Sequence, residues 1–235
     1  MAKNKHYRDI LKAVETLVKE KKTKPTPAGY LGNRHFSYGL SNPQKRKIVR
    51  EWKENHQDIS PKEFIGLLDS LYHGRSYDEK TLAGILLENS RFKKEIPPRK
   101  LDEWLNFLEG WAEIDMTCQS SFGPDELLAN WPAWEKVIKH FSGSSDISKR
   151  RASLVLLVKS VRNSSDKKLA GLALANIERL KGEKDVLITK AISWLLRSLI
   201  KHHRQNVENC LKRNHGSLPA IALRETSRKL KTGKK

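Results

Sequence analysis

Apolar residues recur at helical spacing along almost the whole chain, and no segment shows the convincing alternation of a β-strand. The N-terminal segment is typical, with apolar side chains at the i, i+3, i+4 and i+7 positions of one helix face (Tyr7, Ile10, Leu11, Val14, Leu17 and Val18). A chain that repeats this pattern can bury its apolar surface only by packing helix against helix. The sequence therefore predicts an all-α fold.

Capping signals divide this pattern into separate helices. Ser41-Asn42-Pro43 offers a cap followed by proline in the first turn, and Ser60 and Ser76 each precede a glutamate by three residues, as in a capping box. The predicted helices cover residues 5–20, 26–38, 43–56, 61–72, 77–91, 98–119, 124–140, 147–162, 166–180, 184–203, 204–214 and 218–230.

Short connections between these helices predict antiparallel neighbours, and helix pairs recur about every 40 residues, the length of HEAT-type repeats. We expect a HEAT-like helical-repeat solenoid, an α–α superhelix with a basic concave face, as one domain over residues 1–235. An irregular helical bundle is the alternative. Within this domain we expect residues 1–24 to form an amphipathic helix and a basic linker, and residues 231–235 a basic tail.

The chain carries 46 lysines and arginines against 27 aspartates and glutamates, a net charge of +19. Such a surplus favours a polyanion as the partner, with nucleic acid first and an anionic membrane second. The longest apolar run, residues 154–158, is too short to span a bilayer, so we expect no transmembrane segment. Two cysteines and no secretion signal favour free thiols in a reducing compartment, hence a cytoplasmic protein, nucleoid-associated if bacterial.

Two predicted helices each place one charge in an apolar row. Asp115 continues the row from Leu101 to Ala112, although Gly110 is a point at which that helix can break, and Arg151 falls within the row from Ile147 to Val161. A charge in such a row is costly unless it is paired or faces a cleft. Asp115 and Arg151 therefore form either a buried ion pair between helices or part of a cleft floor.

Trp194 lies off the apolar row of its helix, on the polar side next to Lys190 and Arg197. A tryptophan between cations suits contact with nucleic acid, and packing against the next helix pair is the alternative. The cations expected to neutralise phosphates without reading the base sequence lie in this half of the chain (Lys149, Arg150, Lys159, Arg162, Lys190 and Arg197).

Other chemistries lack a motif. The sequence has no glycine-rich phosphate loop and no cysteine pair at zinc spacing. His202 and His203 are adjacent, so on a helix they point apart and make a poor metal site. We therefore predict no metal site, and no Ser/His/Asp arrangement has positional support.

Four motifs follow one another along the sequence: an aromatic and glycine segment followed by Pro-x-x-Arg (residues 30–46), Trp-x-x-x-Asp (residues 111–115), a basic segment (residues 149–154) and a late tryptophan segment (residues 188–197). In this order they give the chain, from about residue 30 to its end, a resemblance to the AlkD-like DNA alkylation repair enzymes, which are HEAT-like solenoids. The resemblance selects Asp115, Arg151 and Trp194, which helical winding marks as unusual. It also selects Trp111, which lies in the row from Leu101 to Ala112, one helical turn before Asp115 and on the same face. It therefore favours a cleft over a buried pair.

The resemblance implies a monofunctional glycosylase that hydrolyses the N-glycosidic bond of alkylated purines, such as 3-methyladenine and 7-methylguanine, in duplex DNA. It implies that Asp115 stabilises the sugar cation and positions water, and that Trp111 and Trp194 pack against the deoxyribose. It implies that Arg151 holds a phosphate and orients Asp115. The family is thought to act on a stacked base, without a cofactor or metal. We expect a monomer, because a solenoid with one DNA surface needs no partner subunit.

Two other functions stay open from the sequence. A catalytically silent relative that binds distorted or branched DNA would keep the charge and the fold without needing all four residues. A protein-binding helical scaffold is the usual function of HEAT repeats, but a net charge of +19 disfavours it unless its partner is acidic.

Overall fold

The computed structural model describes residues 5–20, 22–25 and 32–234. Over these residues the fold is all-α, as predicted, and its one β-type pairing is an isolated bridge between Phe36 and Ser76. The helices are α1 (Lys5–Lys19), α2 (Asn42–Glu54), α3 (Pro61–Tyr72), α4 (Tyr77–Glu88), α5 (Pro98–Leu105), α6 (Gly110–Cys118), α7 (Pro124–Ala129), α8 (Trp131–Ser142), α9 (Ile147–Asn163), α10 (Lys167–Leu180), α11 (Val186–Arg213) and α12 (Ala220–Thr232), with a 3-10 turn at Lys93–Glu95.

The helices fall into two compact units, Met1–Ser121 and Phe122–Lys235. In the N-terminal unit α2 packs on α4 and α4 on α6, and in the C-terminal unit α8 packs on α10 and α9 on α11. Contact between each helix and the next but one is the pattern of helix pairs stacked in sequence order. The HEAT-like character of these pairs and the single domain stay predictions.

Helices α3 and α4 begin at the serine caps that the sequence predicts. Ser60 accepts the Glu63 N–H while the Glu63 carboxylate accepts the Ser60 N–H, and Ser76 and Glu79 form the same reciprocal pair at α4. These bonds satisfy backbone donors that the first turn of a helix leaves without partners. The predicted capping boxes of α3 and α4 are therefore confirmed.

The helix predicted over residues 98–119 is wrong as one continuous element, because it breaks between α5 and α6. Gly110 has φ +70°, in the left-handed region that interrupts a right-handed helix. A Cβ built on Gly32 would lie 3.6 Å from the Gly110 Cα, so two glycines meet where α6 begins. Asp115 therefore lies on a separate helix, α6, and does not continue the apolar row of α5.

Two further predicted helices differ from the structure. The segment 124–140 divides into α7 and α8 at Asn130, because the ring of Pro132 clashes with the backbone one turn earlier and has no N–H for the helix. Of the helix predicted over 26–38, residues 26–31 lie outside the described residues, and residues 32–38 are not helical. They form an extended segment, which joins α4 through the Tyr77 N–H that donates to the Phe36 carbonyl at 2.8 Å.

The core of the C-terminal unit follows the predicted apolar rows. The predicted apolar row of α11 is buried throughout (Ile188, Ala191, Ile192, Leu195, Leu196 and Leu199). The predicted row of α9 is buried from Leu154 to Val161, and Ile147 at its start is partly exposed. His203 has non-helical dihedral angles, which kinks α11 where the sequence predicted one helix to end and another to begin. No helix in the described part of the chain is long and apolar enough to cross a membrane.

The core of the N-terminal unit contains a buried ion pair that the sequence did not indicate. Lys45 on α2 and Asp78 on α4 lie 3.0 Å apart, and their side chains are at most 1% exposed. Asp78 also accepts the Tyr38 N–H at 2.6 Å and the Leu40 N–H at 3.2 Å. Burial lowers the pKa of Lys45, and the charge of Asp78 opposes that shift. The pair fixes the extended segment against both helices.

Candidate active site

Helix α6 places Trp111 and Asp115 one turn apart on the same face. Trp111 is 36% exposed, which is unusual for so large an apolar side chain, and Asp115 is partly exposed. The opposite face of the helix is buried and contains Glu113, Ile114 and Thr117. The sequence prediction that Trp111 belongs to an apolar core row is thus wrong, while its pairing with Asp115 on one face is confirmed.

Glu113 determines which face of α6 is exposed. Its side chain is completely buried and accepts hydrogen bonds from Asn33 Nδ2 at 3.0 Å and from the Glu109 N–H at 2.8 Å. His35 Nδ1 lies 2.8 Å from the same carboxylate. Residues two positions before and after Glu113 lie about 160° from it around the helix. Anchoring Glu113 inward therefore turns Trp111 and Asp115 outward.

The extended segment that Glu113 holds presents a second exposed aromatic side chain. Phe36 is 62% exposed, and its ring packs edge-on against Tyr38 with 5.0 Å between centroids. Its backbone is held by the Tyr77 N–H, and the next residue, Ser37, donates its hydroxyl to Asp78 at 3.0 Å. A firmly anchored exposed aromatic ring is the kind of group on which a base or sugar stacks. Phe36 lies within the aromatic and glycine motif of residues 30–46, but no site role was predicted for it from the sequence.

Arg151 lies on α9 in the C-terminal unit and is 4% exposed, so the charge predicted within an apolar row is indeed buried. Its guanidinium donates to the Leu187 carbonyl in the first turn of α11. Trp194 lies two turns further along α11, half-buried and off the core row, as predicted. This unit thus holds an arginine and a tryptophan on two packed helices.

The six cations predicted to bind DNA lie in three kinds of environment. Arg150 pairs with Glu183 at 2.7 Å, and Arg197 pairs with Glu225 at 3.2 Å, so both have partners within the C-terminal unit. Lys190 and Arg162 are exposed, although Arg162 also donates to Ser198. Lys149 and Lys159 are half-buried. Their roles toward DNA stay predictions.

Charge is divided unevenly along the chain. The C-terminal unit has 24 lysines and arginines against 10 acidic residues, a net charge of +14, and the N-terminal unit has 22 against 17, a net charge of +5. Residues 101–135, which include Trp111 and Asp115, contain eight acidic residues and no lysine or arginine. The C-terminal unit therefore supplies most of the charge that attracts a polyanion.

A family model described as DNA alkylation repair enzyme matches residues 10–230 of the chain. The chain belongs to this family. Membership gives it a role in the repair of alkylation damage, with DNA as its substrate. The resemblance drawn from the four motifs is thereby confirmed.

The fold also matches a solved structure. A predicted DNA alkylation repair enzyme from Enterococcus faecalis superimposes with a TM-score of 0.71, over 93% of this chain and 96% of its own. The two sequences are 17% identical, so the likeness establishes the fold alone. A comparison with curated proteins finds no match.

We predict that Glu113→Ala loosens the segment that Glu113 anchors. The change leaves the Glu109 N–H and the side chains of Asn33 and His35 without this acceptor, at a cost of about 1–3 kcal/mol for each buried donor left unsatisfied. Hydrogen exchange measured by mass spectrometry should accelerate in peptides covering residues 32–40. Glu95→Ala, which removes an exposed carboxylate, is the control. Unchanged exchange in Glu113→Ala would contradict the anchoring role.

Proposed function

We propose that the protein is a monofunctional DNA glycosylase that hydrolyses the N-glycosidic bond of N3- and N7-alkylated purines in duplex DNA. The observation that carries this proposal is the exposed face of α6, on which Trp111 lies one turn from the partly exposed carboxylate of Asp115. Within the alkylation repair family, an exposed aromatic ring beside a carboxylate suits a reaction that builds positive charge on a sugar.

One carboxylate is sufficient for this reaction. Alkylation at N3 or N7 gives the purine a positive charge, so it leaves as a neutral base without prior protonation, whereas ordinary glycoside hydrolysis protonates its leaving group through a second carboxyl. As the glycosidic bond breaks, its electron pair goes to the base and the deoxyribose becomes cationic. Asp115 stabilises this cation and orients the water that attacks it, and the attacking water loses one proton to the solvent. The products are the neutral free base, an abasic site and that proton.

The aromatic rings act on the same cation. Trp111 offers the face of its indole to the developing positive charge on the deoxyribose, an interaction worth about 2 kcal/mol or more when water is excluded. The family resemblance gives Trp194 the same role. Arg151 contacts a backbone phosphate, since a guanidinium binds phosphate oxygens through paired N–H groups. These roles follow the family resemblance. The exposure of Trp111 and the partial exposure of Trp194 suit their roles, whereas Arg151 is 4% exposed and reaches a phosphate only if its side chain turns away from the Leu187 carbonyl.

The state of the cysteines supports hydrolysis over transfer of the alkyl group to the protein. A thiol accepts an alkyl group as the thiolate and must be accessible. Cys118 is 0% exposed and Cys210 is 3% exposed. Burial also raises the pKa of Cys210, which lowers its thiolate fraction at neutral pH.

We predict that Asp115→Asn lowers the rate of base release by about 10²- to 10³-fold or more, because the amide cannot balance charge in the transition state. The dissociation constant for DNA should change little, since Asp115 makes no attractive contact with phosphate. Single-turnover release of methylated purine and a binding titration on the same duplex measure the two effects. Asp125→Asn, which makes the same charge change at an exposed position of α7, is the control.

Equal loss of rate and affinity in Asp115→Asn would contradict a catalytic carboxylate and favour a structural one. Tight binding by the wild type without base release would favour the silent DNA-binding relative.

We further predict that Lys190→Ala reduces the salt dependence of DNA binding. A lysine that neutralises one phosphate releases about one counterion, so the slope of log K against log salt should become shallower by roughly one unit. Lys62→Ala, at an exposed position of α3 in the less basic unit, should leave the slope unchanged. An identical slope for Lys190→Ala and wild type would exclude Lys190 from the DNA interface.

A further inference from the structure

Two histidines and one aspartate converge in the N-terminal unit, far along the chain from the candidate active site. His6 and Asp9 lie three residues apart on α1, and His56 follows the end of α2. One ligand atom from each of the three side chains lies within 4.8 Å of the other two. All three residues are partly exposed, so the space between them is reachable from solvent.

His56 is oriented as a metal ligand requires. Its Nδ1 lies 2.7 Å from the Trp52 carbonyl, which can only accept, so Nδ1 carries the proton and donates it. The lone pair is therefore on Nε2, which lies 3.7 Å from Asp9 Oδ2. The ring also stacks on the Trp52 indole at 4.7 Å between centroids, which fixes its plane. A backbone acceptor on one nitrogen and an open second nitrogen is the usual arrangement of a metal-binding histidine.

His6 lies beside other titratable groups. Burial and the nearby His56 lower the pKa of His6, while Glu63 and Asp9 oppose that shift. Asp9 supplies one negative charge to the same space.

We propose that His6, Asp9 and His56 form a binding site for a divalent transition-metal ion of the Zn²⁺ class. Two imidazoles and one carboxylate are a donor set of such ions, whereas Mg²⁺ and Ca²⁺ prefer oxygen ligands alone. Bonds of about 2.1 Å place tetrahedral ligands about 3.4 Å apart, so the three side chains close by about 1 Å on binding. Rotation of partly exposed side chains accommodates this movement.

A bound ion would join the N-terminal helix to the end of α2. Helix α1 packs on α2 and α3 through a face that buries Ile10 and Val14, and the Tyr7 hydroxyl donates to Glu79 at 2.6 Å. Metal binding adds its free energy to the folded state only. We therefore assign the site a structural role that does not depend on the glycosylase proposal.

The test is a titration of tag-free, metal-free protein with Zn²⁺ by calorimetry, with Co²⁺ as a spectroscopic probe of the ligand geometry. We expect one Zn²⁺ per chain, little competition from Mg²⁺, and a melting temperature raised by roughly 5 °C when Zn²⁺ is in large excess over its dissociation constant. Asp9→Asn, which keeps the shape of the side chain, should weaken Zn²⁺ binding about tenfold or more, and His6→Ala and His56→Ala should do the same.

His73→Ala is the matched control. His73 caps the end of α3 and places Nδ1 2.7 Å from the Asp69 carbonyl, the same bond that His56 makes to Trp52, but it packs beside Phe107 and not beside another ligand. Its replacement should leave Zn²⁺ affinity unchanged. Absence of stoichiometric binding at micromolar Zn²⁺ by the wild type, or equal weakening in His73→Ala, would overturn the site. Circular dichroism of the metal-free Asp9→Asn protein confirms that it is folded.

Discussion

The buried carboxylate of Glu113 is the constraint on which the candidate active site depends. A carboxylate with no exposed surface must have its hydrogen bonds satisfied, and Glu113 obtains them from Asn33 and the Glu109 backbone, with His35 in contact. Those bonds fix the rotation of α6 about its axis. The same rotation brings Trp111 and Asp115 to the opposite face, where a large apolar ring and a carboxylate can meet a ligand instead of the core.

The cations able to attract DNA and the carboxylate proposed to act on it lie in segments of different charge. The C-terminal unit carries a net charge of +14 and most of the cations able to neutralise phosphates, whereas no lysine or arginine occurs in residues 101–135 around Asp115. A carboxylate needed to stabilise a cation would lose effect beside a lysine or arginine of its own segment. The uneven charge is therefore consistent with both binding and catalysis, and net charge alone could not have separated the two.

Local patterns in the sequence were sufficient for much of the fold. Helical periodicity and serine caps predicted α3 and α4, and the apolar row of α11 is buried as expected with Trp194 beside it. Gly110 marks the break before α6 in the sequence, and its φ of +70° agrees with that expectation. Its approach to Gly32, 78 positions earlier in the chain, is information that local periodicity does not carry.

The polar contacts that organise the N-terminal unit were missed for the same reason. Glu113 and Asn33 are 80 residues apart, and Lys45 and Asp78 are 33 residues apart. The prediction of no metal site rests on the lack of ligands at short spacing in the sequence, whereas His6 and His56 meet only when α1 packs beside α2. Histidines distant in sequence signal a site only once the packing of their helices is known.

The most direct test of the proposed chemistry follows the alkyl group itself. Wild-type protein would be incubated with duplex DNA whose purines carry isotopically labelled N-methyl groups, and the label would be located by mass spectrometry. Hydrolysis of the glycosidic bond predicts that the label leaves as free methylated base and that abasic sites appear in equal number. Label retained on the DNA, or transferred to Cys118 or Cys210 while the purine stays in place, would contradict the account.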